Sequence, residues 1–267
     1  MRISIVIVTY NRLYALADLL ESIAGQTRMP EEIIIVNDGG ESVDSLKEFY
    51  HELPIKVVDL RENCGHVHAR NAGIEAASGD AIMLSDDDDY FTPGHIERMA
   101  GELSDGAQFV YSDVEIVTFK EENHVRLPVS RRLFAYTYDP VEMRRFSTYV
   151  PSGSLYLKSI HREIGYFDPE VHNYWDWDFF LRVSEAFSVK RVPVASVIYA
   201  FSAGGSHQSF SLNEKRQAFL EVLCEKHGLG KLPQKNFFVL LEEPELKMRE
   251  AESRIVWDGR SIRSRLV

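Results

Sequence analysis

The chain has 267 residues, 45% of them hydrophobic and 27% charged, and a formal net charge of -11. That is enough chain for one large α/β domain or two small ones, while its negative field argues against nucleic acid or a purely electrostatic hold on anionic lipid, since both surfaces would repel it. Two widely separated cysteines, Cys64 and Cys224, suggest neither a disulfide framework nor a zinc cluster; a cytoplasmic setting is expected, without a transmembrane segment, because no apolar run approaches the roughly 20 residues a spanning helix needs.

Ile3 to Val8 is an unbroken apolar run stopped by Thr9-Tyr10-Asn11-Arg12, the pattern of a buried strand that empties into a loop. It is too short for a secretory leader and lacks a cleavage region. Tyr14 to Ala24 carries a helical stripe at Leu16, Leu19, Leu20 and Ile23. Glu32 to Val36 is a second strand, ended by Asn37-Asp38-Gly39-Gly40; a helix over Val43 to Leu53 and a third strand over Ile55 to Leu60 follow. This βαβαβ alternation with fully apolar strands predicts a mostly parallel central sheet flanked by helices, whose ligands bind beyond the carboxyl ends of the strands. A helix over His68 to Ala77 leads to the strand Ala81 to Leu84, which opens into Asp86-Asp87-Asp88-Asp89. Phe109 to Thr118 and His124 to Val129, around Glu121-Glu122-Asn123, predict a small antiparallel addition. Arg131 to Thr148 has no clean period and reads as a helix-and-loop excursion. Trp175 to Ala186 is helical, Val189 to Tyr199 holds one or two short strands, and a helix from Leu212 to His227 stops at Gly228.

Three constellations lie at the predicted strand ends. Clustered carboxylates such as Asp86 to Asp89 occur as solvated loops, but at a ligand-binding edge their repulsion is relieved by a divalent cation, and Mg²⁺ or Mn²⁺ completes its shell with substrate phosphates. Thr9-Tyr10-Asn11-Arg12 beside Asn37-Asp38-Gly39-Gly40 is either turn chemistry or a polar cleft for a base and ribose, with Asp38 accepting from a nucleobase N–H. Arg70, early in its helix, is either solvated or set to face a diphosphate.

In order along the chain, Ile3 to Arg12, Ile33 to Gly39, Asn63-Cys64-Gly65 with Ala69-Arg70-Asn71-Ala72-Gly73, and Asp86 to Asp89 resemble the inverting family-2 glycosyltransferases of the GT-A (nucleotide-diphospho-sugar transferase) fold. The resemblance implies that Thr9, Tyr10, Arg12 and Asp38 line the nucleotide pocket and that Arg70 lies near the phosphates. It also implies that Asp86 faces the ribose, that Asp87 fills the variable middle place of a D-x-D motif, and that Asp88 binds Mn²⁺ or Mg²⁺. Gly153-Ser154 looks like the acceptor-side segment, and Trp175-Asp176 like the start of the helix whose Asp is the general base. Two positions depart from the pattern. Trp175 stands on the acceptor side where Glu is usual, and His207 is the nearest candidate for a histidine that approaches the metal.

The resemblance places a GT-A domain over residues 1–205 and a helical extension on the acceptor side over residues 206–267. It implies a hexosyltransferase-type transfer of sugar from a nucleotide diphosphate, commonly a UDP-sugar, to a hydroxyl of a saccharide or lipid-linked acceptor in polysaccharide or glycoconjugate synthesis, with peripheral membrane association compatible. The sequence leaves the oligomeric state open. A pyrophosphorylase would show a glycine-rich loop after the first strand, and a dehydrogenase G-x-G-x-x-G; Thr9 to Arg12 contains no glycine. A catalytically silent nucleotide-sugar-binding subunit is the remaining alternative.

Overall fold

The computed structural model of the chain describes residues 1–202, 213–235 and 237–267. The amino-terminal half alternates β1 (Ile3–Thr9), α1 (Leu13–Ala24), β2 (Glu32–Asn37), α2 (Ser45–Phe49), β3 (Ile55–Asp59), α3 (His66–Ala76) and β4 (Ala81–Asp86). After the short β5 (Tyr90–Phe91) and α4 (His95–Ser104) come the hairpin strands β6 (Phe109–Glu122) and β7 (Val125–Phe134), then β8 (Leu155–Leu157), α5 (Ile160–Ile164), α6 (Trp175–Ala186) and β9 (Val189–Ser202). The remainder gives α7 (Glu214–His227), α8 (Phe237–Leu241), α9 (Pro244–Lys247) and β10 (Arg254–Ile255).

Among the described residues one ten-stranded sheet runs β10-β9-β6-β8-β4-β1-β2-β3, with β5 on β9 and β7 on β6. β1, β2, β3 and β4 pair in parallel, β8 runs against both of its neighbours, and β9 returns parallel to β6. The continuous apolar runs follow from burial on both faces, because alternate residues of a strand point to opposite sides. Ile5, Ile7, Ile33 and Ile35 pack under α1, α2 and α4, while Val6, Ile34 and Val36 pack under α3 and α6. Each such side chain, fully buried, contributes about 1.5–3 kcal/mol of transfer free energy. Gly73 of α3 is needed for close approach: a Cβ there would come within 2.5 Å of Val6 Cγ1. That contact seats α3 on β1 and fixes Arg70 one turn earlier.

The fold departs from the sequence expectations where local chemistry outweighs period. The helix expected over Val43 to Leu53 shrinks to α2, because Tyr50 leaves the helix to donate its hydroxyl to the Ala17 carbonyl at 2.9 Å. β6 and β7 are longer than expected and turn through Asn123-His124, both left-handed at φ 51° and 61°, the dihedrals that match hairpin twist. Residues 131–134 belong to β7, and the rest of the aperiodic stretch carries an isolated antiparallel bridge from Tyr136 to Glu250 and a short 3₁₀ turn, Glu142–Arg144. β9 is one long strand, with the register shifting opposite Asp113 near Pro193, a residue that cannot donate to the ladder. α4 is not among the expected elements, although Ile96, Met99, Ala100 and Leu103 form a buried helical stripe. Beyond α9 the chain adds β10 to the sheet edge beside β9. Among the described residues no helix is long and apolar enough to cross a membrane.

Candidate active site

Parallel register brings the strand ends level: Thr9 pairs with Asn37, and Val8 with Asp86. Between these ends and the start of α6 lies an open cleft of about 1540 Å³. Thr9, Tyr10, Arg12 and Asp38 border it from β1 and β2, Arg70 from α3, Asp86 to Asp88 from the acidic loop, and Trp175 with Asp176 from α6. Residues up to 167 positions apart in sequence are thus gathered (Thr9 to Asp176).

Within the acidic loop the carboxylates part company. Asp87 turns inward, where its oxygens accept from the Thr9 hydroxyl at 2.7 Å and Arg12 at 3.3 Å; burial and then the charge of Asp88 raise its pKa. Asp89 is fully buried and accepts the Ala200 amide at 3.0 Å, its pKa pushed well up by burial. Asp88 stays at the cleft, a quarter exposed, and receives Arg12 at 2.6 Å. Burial opposes the Arg12 charge, yet Asp88 and Asp87 outweigh it and raise that pKa. Asp38 is buried, and its two oxygens accept the amides of Cys64 at 2.8 Å and Gly65 at 3.0 Å, which fixes the loop into α3.

Across the cleft, Arg70 pairs with Asp86 and lies over the Trp175 ring, 4.2 Å from its centroid. Asp176 follows at the first turn of α6. Burial pushes its carboxyl up to about 6; backbone amides oppose the rise, Asp86 adds to it and Arg70 reduces it. No side chain among the described residues donates to it. Two residues on, Asp178 is buried against His227, Arg182 and Lys226 at 2.7–2.9 Å, and these partners outweigh burial to hold it at about 2.

Residues 4–165 match the family model described as Glycosyl transferase family 2. The chain belongs to glycosyl transferase family 2. This family-2 chain is 65% identical over 266 residues to the uncharacterized glycosyltransferase YwdF of Bacillus subtilis (strain 168), covering 100% of this chain and 99% of that one. It is 32% identical over 136 residues to the amylovoran biosynthesis glycosyltransferase AmsE of Erwinia amylovora, covering 48% of this chain and 51% of the relative. Among solved structures, S. aureus TarS 1-349 in complex with UDP-GlcNAc matches with a TM-score of 0.66 at 18% identity, covering 85% of this chain and 66% of that one. The fold is therefore GT-A, with its small antiparallel portion made by the β6–β7 hairpin, β8 and β5.

The metal that a GT-A transferase of family 2 implies has to be tested against the residues present. Among the described residues no three His, Cys, Asp or Glu side chains form a protein-only cage. Two carboxylates of the acidic segment, Asp86 paired with Arg70 and Asp88 paired with Arg12, are open to the cleft beside the buried Asp87 and Asp89; so few protein ligands fit a hard cation that shares its shell with substrate phosphates and water. His207, the other expected ligand, lies outside the described residues. Gly153 and Ser154 do not border the cleft as an acceptor-side segment would. Ser154 is fully buried, and Gly153, at φ 78°, takes its carbonyl to buried His95 at 2.9 Å, where a Cβ would meet the imidazole at 2.7 Å. Their neighbour Ser152 accepts the Asp86 amide at 2.9 Å, so the segment backs the acidic loop.

Three residues at or behind the cleft carry no signal in the sequence pattern. Arg126 of β7 donates to the Asp88 carbonyl at 2.5 Å and to buried Asp18 at 2.9 Å, clamping the acidic loop from the hairpin. His66 and His172 meet edge to face at 4.8 Å on the cleft wall. Burial, then Arg70, lowers His66 to about 3, so it is neutral at pH 7. His172 holds a left-handed φ of 38°, a strain of the sort found at ligand sites. No period marks these residues; only the hairpin register could have pointed to Arg126.

Proposed function

We propose that this family-2 glycosyltransferase inverts configuration as it moves a sugar from a uridine diphosphate donor to a hydroxyl of a saccharide or lipid-linked acceptor. The observation that carries the reading is Asp176, a carboxylate at the cleft with no side-chain partner among the described residues and a pKa of about 6, suited to accepting a proton near neutral pH. Asp176 takes the acceptor hydroxyl proton as that oxygen bonds to the anomeric carbon; the bond from that carbon to the diphosphate oxygen breaks on the opposite face. The transition state is oxocarbenium-like, as in other glycosyl chemistry. Arg70 stands on the leaving-group side, and Arg12 and Asp87 hold the acidic loop in shape. Asp88 would hold Mn²⁺ or Mg²⁺, which when bound supplies positive charge to the departing diphosphate.

A solved TarS structure holds UDP-GlcNAc, which supports the uridine donor, and AmsE by its name serves amylovoran biosynthesis, which supports a role in polysaccharide assembly. A thermal-shift screen of nucleotide sugars with Mn²⁺, with and without chelator, identifies the donor, because a ligand selective for the folded state raises stability. NMR of the first-formed product then decides the stereochemistry: a β-linked or β-configured product from an α-linked donor is expected, and an α product would overturn inversion.

A further inference from the structure

Arg70 is recessed in the cleft wall, its side chain 8% exposed, and is gripped from several directions. It pairs with Asp86, donates to the His66 carbonyl at 3.2 Å, and sets its central carbon over the Trp175 ring, 4.2 Å from the centroid. Trp175 is itself buried and meets Phe167 edge to face at 4.8 Å, so the platform is braced from behind.

We propose that Trp175 is a positioning residue for the leaving diphosphate, its indole face holding the Arg70 guanidinium at the cleft wall between the acidic loop and Asp176. This rests on the reading of Arg70 as the phosphate-side cation. An aromatic face suits the place for a physical reason: it attracts a planar guanidinium through its quadrupole and adds no charge. A carboxylate there would compete for Arg70 and set another negative charge beside Asp86 and Asp176, opposing an anionic donor. An aliphatic side chain would fill only part of the volume and would not draw the cation. The first turn of α6 thereby serves both ends of the reaction, Asp176 towards the acceptor and Trp175 towards the leaving group.

The test compares Trp175→Phe, Trp175→Leu, Arg70→Gln and the Trp175→Leu/Arg70→Gln double variant, each checked for cooperative melting. Affinities for uridine diphosphate, by calorimetry, and for uridine, by ligand-observed NMR, are measured with Mn²⁺. Trp175→Leu is expected to weaken uridine diphosphate binding about 5–20-fold, a typical loss for a desolvated cation–aromatic contact, and to leave uridine binding unchanged. Trp175→Phe should stay within about threefold of wild type, and Trp175→Leu should cost under about twofold once Arg70 is Gln, because coupled residues are non-additive. Equal losses in both Arg70 backgrounds, or equal losses for uridine and its diphosphate, overturn the role of Trp175. An Arg70→Gln protein with unchanged diphosphate affinity overturns the reading of Arg70 instead. Should the leucine variant fail to fold, Trp175→Met, whose unbranched side chain adapts to the gap without a ring or a charge, carries the same comparison.

Discussion

The acidic loop after β4 and the first turn of α6 both crowd carboxylates against one cleft, and they resolve the crowding by different means. The loop buries Asp87 and Asp89 and drives both towards the neutral acid, leaving Asp88, with Asp86 at the end of β4, at the cleft. The helix instead surrounds Asp178 with Arg182, Lys226 and His227. Asp176, two residues earlier, is left without them, since positions i and i+2 of a helix lie about 200° apart around its axis. Proximity in sequence therefore says little about role. On the proposed reading the chemistry of each region belongs to a carboxylate that the fold leaves open to the cleft, Asp88 in the loop and Asp176 in the helix, and substitutions within each set test that division.

The largest expected effect is on Asp176. Asp176→Asn should slow transfer about 10²–10⁴-fold at saturating donor, the usual cost of a positioned base, equivalent to about 3–5 kcal/mol of barrier, with donor affinity kept. In the wild type, kcat/KM should rise about tenfold per pH unit up to about pH 6, where Asp176 ionises, and level off above it. Near-wild-type turnover in the variant, or a profile flat through pH 6, would remove Asp176 as base.

Asp178→Asn, on the opposite side of the same turn, should act on stability. The folded Asp178 titrates at about 2, below its unfolded value near 3.9, so its contribution is fully present above about pH 4 and is lost as pH falls through 2. Denaturant unfolding at pH 7 should show a loss of about 2–3 kcal/mol that narrows on acidification. A loss that persists undiminished at pH 2 would mean packing, rather than charge, sets the role of Asp178.

The acidic loop offers the parallel comparison. Asp88→Ala should weaken uridine diphosphate binding in Mn²⁺ about 10–100-fold and abolish its sensitivity to chelator, because the bare diphosphate then meets unrelieved negative charge. Asp87→Asn should cost less, since the wild-type side chain is already driven towards neutrality and Asn retains an acceptor for Thr9. Calorimetric losses of equal size in the two variants would erase the distinction within the loop.

How much of this is legible in the sequence follows from where the forces lie. The parallel half is legible because Ile3 to Val8 and Ile33 to Val36 are covered on both faces and end in polar loops, a pattern that by itself locates Thr9, Asp38 and Asp86 to Asp89 at the binding edge. The other half is not, because its order comes from partners remote in sequence. Asp178 is fixed by His227, Asp88 by an Arg126 carried in on a hairpin, and Gly153 by His95. None of these pairings leaves a local period. The turn at Asn123-His124 sets which residues of β7 face the acidic loop, and a first hairpin strand expected to end at Thr118 supplies no register from which to place Arg126.

The smallest expected effect has the opposite sign from that of Asp178 and comes from the same turn of α6. Asp176 titrates at about 6 in the folded chain, above its unfolded value near 3.9, so its ionised form is disfavoured by folding. The stability associated with the neutral acid is fully present below about pH 4 and is lost as pH rises through 6. Asn cannot ionise, so Asp176→Asn should be more stable than wild type at pH 8. The shift alone would correspond to nearly 3 kcal/mol, but Asp176 is only half-buried and borders an open cleft. Solvent screening reduces the expected gain to about 1–2 kcal/mol. Melting curves of the two proteins should separate above pH 6 and converge below pH 4. A variant less stable than wild type at pH 8 would mean that the carboxylate is held as a helix cap by the amides of the first turn, and it would return Asp176 to the same structural class as Asp178.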